Sequence, residues 1–401
     1  MSNRVCITGI GAITPIGNDI EAFEKSLYDG VSGAGEITRF DASGLPTHIA
    51  CEVKDFSANY RDIKVDFALK ASREAISNSG LSTDQIKKAN SSLSIGIGLE
   101  LFSMDDLIDV RFNGKTSNEI SFLNFPSDLC AHMISHEFGF NHSPAIHISA
   151  CAAGTDAIGD AYKKVKSGSL DICLAGGTDS MVNPMGIAGF CRIGAMTTDN
   201  ENPKTASRPF DKNRNGFVLG EGAAFLVLES ETSAIARGAK VLGYIVGHGN
   251  SLDAHSVSDP HPEGRGAYDS MKRALDDSGL DISDIDAISV HGTATPKNDP
   301  TETYAIKTLL GDKAKTTPVF ATKSLVGHCI SAAGAIETVT SVIAFKRQEL
   351  HQTLNLDEVD ESCDLCHVRE ENLKGDFKYI LKNSFGFGGQ NSSLIIERGP
   401  Q

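Results

Sequence analysis

Along the chain, short β-branched apolar runs alternate with longer stretches of helical period. Val5-Cys6-Ile7-Thr8-Gly9-Ile10-Gly11 predicts a strand running into a tight glycine turn. Ala22 to Leu27 and Asp66 to Ser79 predict helices, the second carrying Lys70 and Arg73, with Lys64 just ahead of it. Leu93 to Gly98 reads as a buried strand, and residues 103–125 as an insertion without sustained period before a helix near Asp128 to Phe138. Pro144 to Ile148 predicts a strand, Ala152 to Lys164 a helix with one apolar face, and Asp171 to Gly177 and Phe217 to Glu229 two more strands. The second half repeats this grammar. Helices are predicted over Ala267 to Ser278, Thr301 to Leu310 and Ser331 to Arg347, and strands over Ile285 to Val290, Pro318 to Thr322, Tyr379 to Lys382 and Ser393 to Ile396. Such alternation predicts an α/β protein whose parallel or mixed sheets are covered by helices, with its chemistry at the carboxyl ends of strands. Cys151, His291 and His328 all fall at such ends.

Composition narrows the function. At 401 residues with 40% hydrophobic and 22% charged, the chain has the make-up of a large globular core. A formal charge of -15 argues against nucleic acid as a partner and requires any acidic partner to find a local basic patch. No apolar run reaches membrane-spanning length, and Met1-Ser2-Asn3-Arg4 leads straight into a strand, so the expected location is the cytoplasm. Nine scattered cysteines fit free thiols in a reducing compartment.

Three motifs invite cofactors and are set aside. Gly9-x-Gly11 lacks a third glycine at Thr14 and a following acidic residue, so it is not a dinucleotide loop. Asp211, Asn213, Asn215 and Gly216 resemble a calcium loop, but Gly222 stands where the bidentate glutamate is needed. Cys363-x-x-Cys366-His367 has haem-attachment spacing without an export signal or a second ligand pair, and no metal is assigned.

Cys151 is the centre of the reading. A strand-to-helix turn presents its sulfur outward, and the helix N-terminus favours the thiolate and lowers the thiol pKa. One cysteine with two histidines at strand ends describes a nucleophile served by hydrogen-bond donors or proton handlers. A cysteine hydrolase would use the same residue types, but the second histidine would be surplus to it.

The chain resembles the β-ketoacyl-acyl carrier protein synthases, most closely the type II elongating enzymes with a Cys-His-His site. The resemblance rests on Val5 to Gly17, Ala150-Cys151, Leu174-Ala175-Gly176-Gly177, Ser207 to Asp211 and Gly216 to Gly222. It continues through His291-Gly292-Thr293-Ala294-Thr295-Pro296, Thr322 to His328 and Asn383 to Asn391. It implies a thiolase fold: two βαβαβαββ halves in a five-layered αβαβα sandwich. Residues 1–240 would carry the nucleophile and 241–401 both histidine motifs. Cys151 would be the nucleophile, His291 and His328 would bind the malonyl thioester, and Lys323 and Glu337 would form a supporting charged pair. Thr293 and Thr295 would hold the phosphopantetheine arm, Phe387 would gate the site, and Phe385 and Gly388 would belong to the same substrate-binding loop. Backbone N–H groups of Cys151 and Phe387 would form an oxyanion hole.

No cofactor of its own is implied, since substrates ride on the phosphopantetheine of acyl carrier protein. That carrier is acidic in the family, so Lys64, Lys70 and Arg73 are candidates for docking it. The implied assembly is a homodimer, or a heterodimer with a chain-length-factor-like homologue. Asn298 before Asp299, Gln390 in the last glycine loop and Gly96-Ile97-Gly98-Leu99-Glu100 depart from the family pattern, while Asn124 and Phe125 lie where relatives line the acyl pocket. These departures admit a specialised polyketide or polyene pathway beside fatty-acid synthesis. The alternatives are a noncatalytic chain-length-factor-like subunit and a thiolase-fold acyltransferase without decarboxylation.

Overall fold

The computed structural model describes residues 4–60, 62–98, 114 and 129–400. The expected insertion over 103–125, with Asn124 and Phe125, lies outside the described residues except for Gly114, as do Leu99 and Glu100.

Ten strands and six helices carry the architecture as two repeats. The first runs β1 (Val5–Ile13), α1 (Ile63–Ser79), β2 (Ser91–Ile97), α2 (Leu129–Phe138), β3 (Ala145–His147), α3 (Ala153–Lys166), β4 (Ile172–Asp179) and β5 (Gly222–Ser230). The second runs β6 (Gly243–Leu252), α4 (Arg265–Ser278), β7 (Ala287–Ser289), α5 (Asn298–Leu310), β8 (Pro318–Phe320), α6 (Ala333–Arg347), β9 (Tyr379–Gly386) and β10 (Gln390–Arg398). Strand order is β3-β2-β4-β5-β1 in the first repeat and β8-β7-β9-β10-β6 in the second, with the same parallel and antiparallel senses. The repeats join where β1 and β6 pair antiparallel over Val5–Ile7. A short helix, Glu231–Ala236, and the connector 237–242 link them along the chain.

Three apolar clusters separate five layers. One lies between the first sheet and α1 and α2, and another between the second sheet and α4 and α5. The largest holds α3 and α6 between the two sheets. Position in these layers explains the helix sequences. α4 has one apolar face and one charged face, as an outer helix must, whereas Ala333 to Phe345 of α6 are buried on every side.

Two strand expectations are corrected. Gly9 and Gly11 are not in a turn; β1 continues through them to Ile13. They lie where α1 crosses, and a Cβ there would sit 2.2 Å from the Ala75 carbonyl oxygen and 2.1 Å from that of Ala71. β5 begins at Gly222 rather than Phe217. The preceding residues form a connecting loop that carries Phe217 to the site and Glu221 to an ion pair with Arg39. Asp211 accepts the backbone N–H groups of Asn213, Asp357 and Glu358, so its carboxylate organises a turn. Cys366 and His367 form a two-residue strand beside β8, and His367 Nε2 bonds the Cys363 carbonyl at 2.7 Å. Among the described residues no helix is long and apolar enough to cross a membrane.

Candidate active site

Cys151 lies in a single 3-10 turn, Ala150–Ala152, between β3 and α3. Ala150 has φ +47°, a conformation costly for a residue with a Cβ, and this bends the chain sharply enough to aim the sulfur at the second repeat. The loop after β7 brings His291, and the turn after β8 brings His328. His328 Nε2 is 3.1 Å from Cys151 Sγ, and the two imidazoles meet edge to face with centroids 5.4 Å apart. All three side chains are about 98% buried, at the floor of a cavity of about 190 Å³.

Hydrogen bonds assign both tautomers. The Ile330 N–H donates to His328 Nδ1 at 3.2 Å, and the Lys323 ammonium, which has donors only, lies 3.2 Å from His291 Nδ1. Each Nδ1 is therefore an acceptor, and each Nε2 carries the hydrogen. Cys151, His291 and His328 have ligand atoms within 4.8 Å of one another, but a protonated Nε2 is the wrong form for a metal ligand. Burial, then Lys323, holds both imidazoles well below the ordinary histidine pKa; for His291, His328 is the next cause. Both stay neutral.

The thiol departs from expectation. Burial pushes Cys151 up to about 11, outweighing Lys323 and the backbone N–H groups of Phe387 and Cys151, which act toward the thiolate. The resting site is a neutral thiol between neutral imidazoles, with N–H donors converging on the sulfur.

Behind the histidines, Lys323 donates to the His291 carbonyl at 2.6 Å and to Glu337. Glu302, on α5, accepts the N–H groups of His291 and Gly292 at 2.7 and 2.8 Å and is itself raised to about 7 by burial. Phe217 packs edge-on to His328, centroids 5.1 Å apart. Thr293, Thr295, Phe385 and Phe387 line the cavity. The two threonine hydroxyls are 3.0 Å apart, and Asp299 fixes the Thr293 N–H. The unusual Asn298 braces Asp299 at 3.1 Å and also faces the cavity. Gly388, at φ 82°, completes the turn beyond Phe387 and donates to the Val257 carbonyl.

Glu302, Phe217 and Lys382 were not singled out by sequence. Lys382 had a legible signal: a lysine interrupting the apolar run of β9. The docking candidates are not one patch. Lys64 is inside α1, 2% exposed, and paired with Asp62 at 2.9 Å, because α1 begins earlier than its period suggested. Arg73 is exposed but held by Glu137 through two hydrogen bonds, and Lys70 is half-buried.

A buried thiol at a strand-to-helix elbow, faced by two neutral imidazole donors between two repeats, is the arrangement of an acyl-transferring enzyme of the thiolase fold. Residues 2–234 match the beta-ketoacyl synthase N-terminal domain and residues 242–357 its C-terminal domain. The 3-oxoacyl-[acyl-carrier-protein] synthase 2 of Synechocystis and that of Coxiella burnetii are each 38% identical, with 98% of both chains covered. Among solved structures, a type II PKS acyl-carrier protein in complex with its ketosynthase bound to the hexaketide gives a TM-score of 0.92 at 28% identity, covering 99% of this chain and 100% of that one. The ishigamide ketosynthase/chain length factor gives 0.90 at 33% identity, with both chains fully covered. A beta-ketoacyl synthase from Burkholderia phymatum gives 0.90 at 31%, covering 99% and 100%. The chain belongs to the β-ketoacyl synthase family.

Proposed function

We propose that this enzyme condenses an acyl thioester with malonyl-acyl carrier protein, with loss of carbon dioxide, to give β-ketoacyl-acyl carrier protein in fatty-acid or polyketide biosynthesis. The pair of Nε2–H donors beside one thiol carries the reading.

In the first half-reaction, Cys151 Sγ attacks the acyl carbonyl, the carrier's thioester bond breaks, and the thiol proton leaves with the departing phosphopantetheine thiol. His328 and the N–H groups of Phe387 and Cys151 stabilise the sulfur's developing charge, so a depressed resting pKa is unnecessary. In the second, the malonyl thioester oxygen accepts both Nε2–H groups. The bond to its carboxylate breaks, carbon dioxide leaves, and the electron pair becomes an enolate. Its carbon attacks the acyl group on Cys151, whose oxygen is received by the Cys151 and Phe387 N–H groups. Collapse returns the cysteine thiolate, which takes a proton from water to restore the thiol. Thr293 and Thr295 guide the phosphopantetheine arm, Phe387 gates entry, and Lys323 and Glu337 hold His291.

The partners in this reading are acyl carrier protein and either a second copy or a chain-length-factor-like homologue, in the cytoplasm, with the halves dividing near residue 240. Lys70 and Arg73 remain its docking residues; Lys64 does not. Carbon dioxide release from malonyl carrier protein, followed across acyl primers of different lengths, is the test. Release coupled to β-ketoacyl product is expected, and acyl transfer or hydrolysis without release would overturn the proposal.

A further inference from the structure

Lys382 has no place in the chemistry described so far, yet it is 0% exposed in the layer that holds the site. Its ammonium donates to Thr155 Oγ1 at 2.7 Å, four residues beyond the nucleophile on α3, and to Ser384 Oγ on its own strand. It also lies 3.2 Å from Glu337 Oε2, as an ion pair without hydrogen-bond alignment. The other Glu337 oxygen binds Lys323. One carboxylate thus sits between two buried ammonium groups, one of which braces His291.

A buried cation is costly unless partners compensate it, and an aliphatic side chain would satisfy β9 without that cost. Two lysines share Glu337, and Glu302, the other carboxylate acting on Lys382, is raised to about 7 and so only partly charged at neutral pH, which leaves net positive charge behind two imidazoles that must stay neutral. We propose that Lys382 is a positioning residue for decarboxylation: by sharing Glu337 it keeps Lys323 on His291 Nδ1, and its charge favours the enolate. The inference rests on the condensing function above.

The groups facing Lys382 electrostatically are Glu337 on α6, Lys323 in the turn after β8, and Glu302 on α5; both histidines feel its charge. Burial is the largest influence on it and lowers it to about 8, so the extra charge is present below that pH and lost above it. Glu302, raised to about 7, titrates on the acid side.

The test measures carbon dioxide release from malonyl carrier protein between about pH 6.5 and about pH 9.5, for wild type, Lys382→Met and Lys382→Arg, with a melting curve for each. Lys382→Met is expected to be slower by about tenfold at neutral pH, with the gap narrowing to about twofold above pH 9 as the wild-type lysine loses its proton. Lys382→Arg should retain release and carry the alkaline limb at least about one pH unit higher, because guanidinium does not titrate in that range. A purely structural role would scale the whole profile without changing its shape, and a constant wild-type to Lys382→Met ratio overturns the proposal. If Lys382→Met does not fold, the position of the Lys382→Arg limb decides, and an unmoved limb overturns it. A wild type that releases no carbon dioxide defeats the functional reading and this inference together, whereas an active wild type with flat variant ratios defeats only the inference.

Discussion

The two repeats build the same elbow and use it differently. In the first, Ala150 at φ +47° opens a 3-10 turn that carries Cys151 and continues into α3 with Ala153-Gly154. In the second, Ile330 at φ +42° opens the matching turn, Ser331 occupies the place of Cys151, and α6 begins with Ala333-Gly334. Ser331 is fully buried, and its N–H donates to Asp179 at 3.1 Å. Three residues before each elbow residue, the repeats diverge again. The first has Ile148, 58% exposed, and the second has His328, 2% exposed and against the sulfur. The strained turn is therefore common to both repeats, and the first differs in the cysteine it carries and in the His328 Nε2 that faces it at 3.1 Å.

Replacing the residue at each elbow gives the sharpest contrast. Cys151→Ala should lower condensation by at least about 10⁴-fold, and intact-mass analysis should find no acyl adduct. An adduct on another residue would break the contrast. The next largest effect belongs to the donors: His291→Ala and His328→Ala should each cost about 10²–10³-fold in malonyl decarboxylation while Cys151 still accepts an acyl group, more slowly in His328→Ala. Unimpaired carbon dioxide release by folded His328→Ala protein would refute the paired-donor mechanism. Alkylation tests the thiol. With Cys151 held up at about 11, its rate with iodoacetamide should climb about tenfold per pH unit from about pH 7 to about pH 10. A plateau by about pH 8 would mean that the local N–H groups outweigh burial. The smallest change is expected at the second elbow, where Ser331→Cys should alter turnover by no more than about threefold and acquire no acyl group. Acylation of the thiol introduced by Ser331→Cys would show the two turns to be chemically equivalent.

Local pattern revealed much of this molecule, because Cys151, His291 and His328 each lie where an apolar run ends, and period alone reports such ends. Quantities set by packing were hidden. Helix-terminus logic predicted a depressed Cys151 pKa, but burial between two sheets is a tertiary property and carries more weight. Lys64 read as a surface charge because Asp62, which caps α1 and pairs with it, moves the helix start one turn upstream. Gly9 and Gly11 read as a turn because nothing local shows that α1 presses on them. β6, glycine-rich and broken by His248 and Asn250, went unread, although pairing with β1 and β10 makes it a full strand. The layer count came from family resemblance and not from period.

The connector between the repeats has one more implication. Gly238 and Lys240 are exposed, and every residue of the cysteine–histidine site lies elsewhere. The halves are held by β1–β6 pairing and by α3 against α6, where a Cβ on Gly154 would sit 2.8 Å from the Ser331 carbonyl oxygen and one on Gly334 2.2 Å from Thr155 Oγ1. Packing, and not peptide continuity across the connector, holds the two repeats around the site. A cut between Gly238 and Lys240 is therefore expected to leave the two repeats associated and the site assembled.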